Sequence, residues 1–208
     1  MSIAELAIRE MREEDWTFLV ELWHNREVMR YADEFPRLRG WSKSDDRESA
    51  WATYRKKRVE QGLDYAQLIL RLGDAPIGES FFAPLPEGYT FGRWHKPAGL
   101  RCLLGDIKPL PPYWNQGFDT AGMRQVVRFA FIQTECRLFV VPPHRHNPAA
   151  ERVYEKAGFV LFAGMRSWRN HKIMELTKAR FQELYSSTPA ADSHAMPNRS
   201  SPPTAADR

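Results

Sequence analysis

The sequence has no apolar run long enough to cross a membrane, and its first residues do not resemble an export signal. The longest apolar runs, such as Leu138–Val141, fall far short of the roughly 20 residues that a transmembrane helix needs. Residues 1–12 are charged, whereas a signal peptide has a continuous apolar centre. We therefore expect a soluble protein with no membrane partner.

Cysteine is scarce, and the two cysteines present, Cys102 and Cys136, do not have the spacing of a metal site. Secreted proteins of modest size usually carry several disulfides. A reduced compartment is the natural interpretation, and a single bridge is the alternative. The composition therefore favours a cytoplasmic protein without a metal centre.

The chain also has little excess of either charge. It contains 30 Lys and Arg and 26 Asp and Glu, which gives a formal net charge of +4. The basic residues are spread along the chain rather than gathered into a tract. This pattern favours an ordinary solvated surface, with local attraction for an anionic ligand, over a nucleic-acid partner. A nucleic-acid binder stays as an alternative, and its binding would weaken steeply with salt.

Two common nucleotide-binding loops are absent. Gly117 and Gly122 have the spacing of a Walker loop, but Met123 and Arg124 follow where Lys and Ser or Thr are required. No G-x-G-x-x-G follows an early strand. Nucleotide hydrolysis and hydride transfer therefore lose support.

Apolar residues are plentiful enough for one folded domain. They make up 43% of the chain, and aromatic residues make up 12%. Residues 186–208 are rich in Ser, Pro, Ala and Thr, so they cannot offset the entropy cost of being ordered. We expect a single domain over residues 1–185 and a flexible tail over 186–208.

Apolar periodicity predicts alternating strands and helices. The predicted strands are 6–10, 66–72, 77–82, 101–108, 137–141, 159–162 and 172–176. The predicted helices lie around 16–23, 42–62, 123–131 and 147–158, and 83–99 is expected to be a loop or an irregular excursion of the sheet. This order predicts an α/β fold whose sheet carries helices on both faces.

The segment 112–120, between a predicted strand and a predicted helix, is suited to binding a diphosphate. Such a loop presents unpaired backbone N–H groups and the positive end of a helix. Gly117 allows the backbone to approach a ligand closely. A purely structural turn is the alternative.

The segment 147–159 predicts a helix with well-marked ends. Asn147 can cap the helix, Pro148 suits its first turn, and Gly158 suits a left-handed stop. Tyr154 lies on its apolar face, where a tyrosine is usually part of the core.

These two segments resemble motifs of the GNAT superfamily of N-acetyltransferases. Trp114, Gly117 and Phe118 match the loop pattern R/Q-x-x-G-x-G/A, whose first position is often Trp in some branches, and Asp119 stands where a small residue is expected. Residues 147–159 are similar to the helix pattern N-x-x-A-x-x-x-Y-x-x-x-G-F. The pattern is closest to the ribosomal-protein alanine and aminoglycoside acetyltransferases. The resemblance covers residues 6–176 and is carried mainly by 100–159.

The resemblance implies a mixed, mostly antiparallel sheet with helices on both faces. It also implies acetyl-CoA as donor and direct attack by a primary amine of a small molecule or a protein N-terminus. Tyr154 matches the position of the general acid. The implied cofactor-binding residues are Ile107, Trp114, Asn115, Gln116, Gly117, Phe118, Asp119, Thr120 and Asn147.

A general base is marked less clearly. Glu79 and Asp106 are carboxylates expected near the cleft, although surface or hairpin roles would also explain them. A water chain that ends at backbone carbonyls would serve equally well. His144 and His146 have alternate spacing, but metal binding would need further ligands.

Asp119 motivates a second hypothesis. A carboxylate beside a diphosphate costs Coulomb energy, and it can instead cap the helix that begins near Thr120. A noncatalytic acyl-CoA-binding or interaction module that retains the fold is therefore the alternative to an enzyme.

Acceptor specificity is expected to come from the first helix pair and its connector. Trp23, Tyr31 and Trp41 are candidates for the acceptor wall, with core packing as the alternative for the two Trp. Asp33 and Glu34 would suit an aminoglycoside. The protein is expected to be a monomer or a homodimer.

Overall fold

A seven-stranded sheet with the order β1-β2-β3-β6-β7-β9-β8 forms the centre of the protein. The computed structural model describes residues 3–31, 46–164 and 168–185. The strands are β1 (Leu6–Glu10), β2 (Ala66–Leu72), β3 (Ala75–Pro84), β4 (Thr90–Phe91), β5 (Trp94–His95), β6 (Cys102–Pro109), β7 (Leu138–Val141), β8 (Val160–Leu161) and β9 (Met174–Thr177). The helices are α1 (Trp16–Trp23), α2 (Arg47–Gln61), α3 (Phe118–Gln133), α4 (Pro148–Lys156) and α5 (Lys178–Tyr185).

Strand pairing in this sheet is antiparallel except between β6 and β7, which run parallel. Consecutive strands joined by short turns pair antiparallel, whereas a parallel pair needs a long crossover. Here α3 supplies the crossover from β6 to β7. The prediction of a mixed, mostly antiparallel sheet is confirmed.

The two faces of the sheet bury different helices. On one face α3 contributes the predicted apolar stripe, and Met123, Val126, Val127, Ala130 and Phe131 are all buried against strand residues. Each large apolar side chain of this kind stabilises the fold by about 1.5–3 kcal/mol relative to an exposed one.

The other face of the sheet is covered by the first two helices. Leu19 of α1 and Tyr54 of α2 form a cluster with Ile69 of β2. Helices thus lie on both faces, as predicted.

Three parts of the structure differ from the sequence-based expectations. The described part of the second helix begins at Arg47, because Asp46 caps it by accepting the Ser49 N–H at 2.9 Å. The stretch 83–99 contains a small separate hairpin, β4 and β5. The terminal helix α5 was not predicted, since its weakly patterned residues are ordered by packing Phe181 onto Phe131.

Some sequence-based expectations fall on residues outside the described ranges. They concern Asp33, Glu34 and Trp41 as acceptor residues, Ser42 as the start of the second helix, and the tail 186–208. Among the helices that the structure does describe, none is both long and apolar enough to cross a membrane.

Cys102 and Cys136 are buried free thiols, so the expectation of unbridged cysteines is confirmed over the bridge alternative. Burial raises the pKa of the Cys102 thiol to about 11 and that of the Cys136 thiol to about 12. Because the thiolate is the reactive form, both side chains act as small core residues.

Helix α4 has the predicted ends. The Asn147 side-chain oxygen accepts the Ala150 N–H at 3.1 Å, and Pro148 occupies the first turn. Gly158 follows the helix with φ of 99°, in the left-handed region that favours glycine. The cap therefore sets where α4 starts and how Tyr154 is aimed.

Replacing Asn147 with Ala should lower the free energy of unfolding by about 1 kcal/mol, because the cap to Ala150 is lost. Asn147→Asp retains an acceptor at the same position and should stay close to the wild type. Urea unfolding of the three proteins measures the difference, and equal losses for both variants would contradict a capping role.

Candidate active site

Strand β6 extends beyond its parallel neighbour, which leaves an open edge in the middle of the sheet. Its pairing with β7 ends at Leu104 and Val140, whereas β6 continues to Pro109. On its other side, β6 stays paired with β3 along its whole length. Residues 105–109 therefore lack a strand partner on the β7 side in the described part of the sheet.

The backbone of Ile107 faces this open edge. Leu110 donates its N–H to Ile77 at 2.8 Å, and Leu85 donates to Cys102 at 2.9 Å, so even-numbered residues of β6 bond to β3. The peptide groups of the odd-numbered residues of β6 therefore point away from β3, towards the side where β7 lies. A substrate lying along this edge can bond to the peptide groups of Ile107.

Tyr154 projects from α4 to the same edge. Burial raises the pKa of its phenol well above the ordinary value, and the charges of Asp106 and Asp119 raise it further. A hydrogen bond with the backbone of Ile107 acts in the opposite direction. The phenol therefore keeps its proton at physiological pH and can donate a hydrogen bond.

The loop between β6 and α3 is held by side-chain bonds to its own backbone. Trp114 donates its indole N–H to the Pro109 oxygen at 2.7 Å, and Gln116 donates to the Pro112 oxygen at 2.6 Å. Both Asn115 and Gly117 have positive φ, of 59° and 86°. These bonds and torsions turn the chain sharply into α3.

Gly117 is the N-cap of α3 and supplies no side-chain cap. Asp119 accepts the Thr120 N–H at 2.9 Å, so one amide of the first turn is occupied as the sequence suggested. The N–H groups of Phe118 and Asp119 make no hydrogen bond to another described residue. Two unpaired donors remain at the positive end of this helix, which suits an anion.

The other residues predicted for this site have clear structural positions. The Phe118 ring is buried and packs edge-on against Tyr113, so only its backbone can reach a ligand. Asn147 caps α4 with its side-chain oxygen. Both side chains therefore have structural roles.

Glu79 and Asp106 are brought together by the register of β3 and β6. Glu79 is paired with Lys108, and Phe81 is paired with Asp106, so all four side chains lie on the face covered by α1 and α2. The Lys108 ammonium bonds to the Asp106 carboxylate and lies 3.2 Å from Glu79 Oε1. We call Glu79, Asp106, Lys108 and Trp23 the carboxylate cluster.

Three polar atoms of the carboxylate cluster are buried without a well-formed hydrogen bond: Glu79 Oε2, Asp106 Oδ1 and Trp23 Nε1. Leaving such atoms unpaired costs about 1–3 kcal/mol each. Their grouping beside the open edge is therefore typical of a place where a polar ligand binds.

Burial raises the pKa of Glu79 to about 7, and the charge of Asp106 adds to that rise. Lys108 and the nearby Trp23 indole oppose it. The pKa of Lys108 is also raised, because the attraction of Asp106 and Glu79 outweighs the effect of its own burial. Lys108 is therefore charged, and Glu79 titrates near neutral pH.

Lys108 was not predicted as a site residue, whereas Trp23 was predicted as a candidate for the acceptor wall. Lys108 lies two residues after Asp106, and that alternate spacing was the available signal for a shared face. The Trp23 ring covers Lys108, with 4.5 Å from Nζ to the ring centroid. Trp23 thus joins the carboxylate cluster rather than the core alone.

A second aromatic group lies at the end of β7. The His144 ring is 5.0 Å from Tyr31 in a stacked arrangement, 5.4 Å from His146 and 5.2 Å from His171. In residues 3–31, 46–164 and 168–185, no three His, Cys, Asp or Glu side chains are placed to hold a metal ion. The group is therefore a packing contact between the α1 connector and β7.

The open edge of β6, the N-terminus of α3 and the buried Tyr154 are the three features of the candidate active site. The chain belongs to the GNAT acetyltransferase family, because the sequence model described as "Acetyltransferase (GNAT) domain" matches residues 5–160. This membership confirms the predicted resemblance and identifies the protein as an acetyltransferase.

Solved structures of other acetyltransferases share the fold. The aminoglycoside acetyltransferase AAC(6')-Ib, solved with ribostamycin and coenzyme A, is 20% identical with a TM-score of 0.66 over 88% of this chain and 99% of that one. The spermidine N-acetyltransferase from Vibrio cholerae, solved with CoA and spermine, is 17% identical with a TM-score of 0.63, covering 86% of this chain and 98% of that one.

Proposed function

We propose that the protein transfers an acetyl group from acetyl-CoA to the amine of a small molecule. The observation that carries this proposal is the open edge of β6, which brings Tyr154 and Asp106 to opposite faces of one strand beside Ile107. The solved relatives with an aminoglycoside or a polyamine bound support an amine acceptor of small size.

Acetyl-CoA would fit the residues along the open edge of β6 and at the start of α3. The pantetheine arm would bond to the backbone of Ile107, and the diphosphate would meet the unpaired N–H groups of Phe118 and Asp119. Trp114, Asn115, Gln116 and Thr120 would flank it. No side chain projects from Gly117, so the backbone can approach closely.

The chemistry is a direct displacement at the thioester. The neutral amine attacks the carbonyl carbon, a C–N bond forms, the C–S bond breaks, and the amine proton passes to a carboxylate. Tyr154 donates a hydrogen bond to the departing thiolate sulfur. Its raised pKa favours such donation over outright loss of the proton.

Asp106 is the carboxylate that would take the amine proton. Its side chain is 28% exposed, whereas Glu79 is fully buried. Glu79 would act through Lys108, because an ionised Glu79 shares the ammonium with Asp106.

Tyr154→Phe should lower kcat by about 10²-fold with little change in acetyl-CoA affinity, because only the donor to the thiolate is lost. Tyr185→Phe is the matched control, since it removes a hydroxyl that bonds to Ala157 from α5, outside the cleft. Turnover assayed by thiol release and affinity by calorimetry separate the two effects. Unimpaired turnover of the Tyr154→Phe variant would remove this residue from the mechanism.

The value of kcat/KM should rise with pH through about 7 as Glu79 loses its proton. Below that pH Glu79 is protonated, and the Lys108 ammonium then pairs with Asp106 alone and competes with the acceptor amine for that carboxylate. In Glu79→Gln the step near pH 7 should disappear, whereas Asp106→Asn should lower the rate across the whole range. An unchanged step in Glu79→Gln would assign it to another group.

Asp119→Asn should tighten acetyl-CoA binding by about tenfold, because a negative charge beside the diphosphate is removed. The amide oxygen can still accept the Thr120 N–H, so α3 keeps its first turn. Acetyl-CoA at about 100 times its Kd should raise the free energy of unfolding by about 2.7 kcal/mol in each protein. Weaker binding by the Asn variant would show that the carboxylate assists the donor.

A further inference from the structure

The carboxylate cluster contains a buried cation, although it lies where a cationic acceptor is expected. The Lys108 side chain is only 10% exposed, and its ammonium bonds to Asp106 and to Glu79. An enzyme that collects polycations would gain from leaving both carboxylates available. The lysine therefore bears on which acceptor the site can hold.

We infer that Lys108 determines specificity by neutralising one of the two carboxylates, so that the site selects acceptors with one ammonium group over polyamines. This inference rests on the proposed function and concerns which amine that same site accepts.

The first support is the charge of the carboxylate cluster. Above about pH 7, where Glu79 has lost its proton, the ionised Glu79 and Asp106 and the charged Lys108 leave one net negative charge. One acceptor ammonium neutralises it. A second ammonium on the same molecule then finds no unpaired anion in the cluster, and its loss of hydration is not offset.

The second support is that Lys108 cannot easily leave this position. Its Nζ lies 4.5 Å from the centroid of the Trp23 ring and 5.6 Å from that of Phe81, and cations are attracted to both rings. Withdrawing the ammonium would leave two carboxylates facing each other in a buried site, which is strongly unfavourable. The neutralising charge is therefore a permanent part of the site.

The third support is the number of polar atoms left unsatisfied. Within the carboxylate cluster, Glu79 Oε2 and Asp106 Oδ1 are buried oxygens without a well-formed hydrogen bond, and the Trp23 indole lies near enough to Glu79 to favour its ionised form. A single ammonium carries three N–H groups and can use both oxygens. A second ammonium would have to compete with Lys108 for oxygens that are already bonded.

The test compares pentylamine with pentane-1,5-diamine, which have the same chain length and differ by one ammonium. The wild type should show kcat/KM for the diamine no more than about threefold above that for the monoamine. In Lys108→Met, which keeps an unbranched apolar stem against Trp23, the diamine-to-monoamine ratio should rise about tenfold. The control Lys56→Met removes the same charge from the exposed surface of α2 and should leave the ratio unchanged.

The double variant Glu79→Gln with Lys108→Met again leaves one negative charge, on Asp106, and its ratio should return to the wild-type value. Acetyl-CoA-dependent stabilisation of each variant checks that it folds. An unchanged ratio in Lys108→Met would overturn the inference, and so would a wild type that prefers the diamine by more than about tenfold. The diamine-to-monoamine ratio of the wild type tests the inference even if the Lys108→Met variant does not fold.

Failure of the proposed function gives a different result. A wild type that binds acetyl-CoA but acetylates neither amine would overturn the proposed function and this inference together. Acetylation of both amines, with a ratio that does not respond to Lys108, would overturn the inference alone.

Discussion

The candidate active site depends on one feature of the sheet, the separation of β6 from β7 after Leu104. Backbone N–H and C=O groups in a protein interior need partners, so an unpaired stretch of central strand is costly unless something else bonds to it. At Ile107 a hydrogen bond with Tyr154 meets part of that need. The same edge is where the proposed donor would bind, and α3 begins beside it with two unpaired amides. Binding of the proposed donor would therefore supply hydrogen-bond partners to the stretch of β6 that is separated from β7.

Charge balance around this edge is the second constraint. Glu79 is fully buried, and burial alone would keep it protonated over much of the physiological range. Lys108 offsets that effect, and Asp106 holds Lys108 in its charged form. Removing Lys108 would leave two carboxylates without a cation in this mostly buried site, which costs more than the net contribution of the intact group. The charged members of the carboxylate cluster therefore balance one another and are best treated as one unit.

Much of the local structure was predictable because its causes are local. Apolar alternation in β2 and helical spacing in α3 were read correctly, and Asn147 and Gly158 end α4 as their residue types suggest. The helix α5 was missed because its order comes from stacking Phe181 between Phe131 and Tyr185 rather than from its own pattern. Asp46, rather than Ser42, starts the described part of the second helix, because its side chain reaches the Ser49 amide.

By itself, the sequence determined the family, the loop that leads into α3 and the placement of Tyr154, since these lie in short contiguous motifs whose spacing has direct physical meaning. Only the tertiary structure decided which charged groups stand together. Glu79 meets Lys108 through the register of β3 with β6, and Trp23 covers them from a helix far away in sequence. The pKa of a carboxyl depends on burial and on neighbours brought by folding. No pattern within either strand could reveal that Glu79 titrates near neutrality.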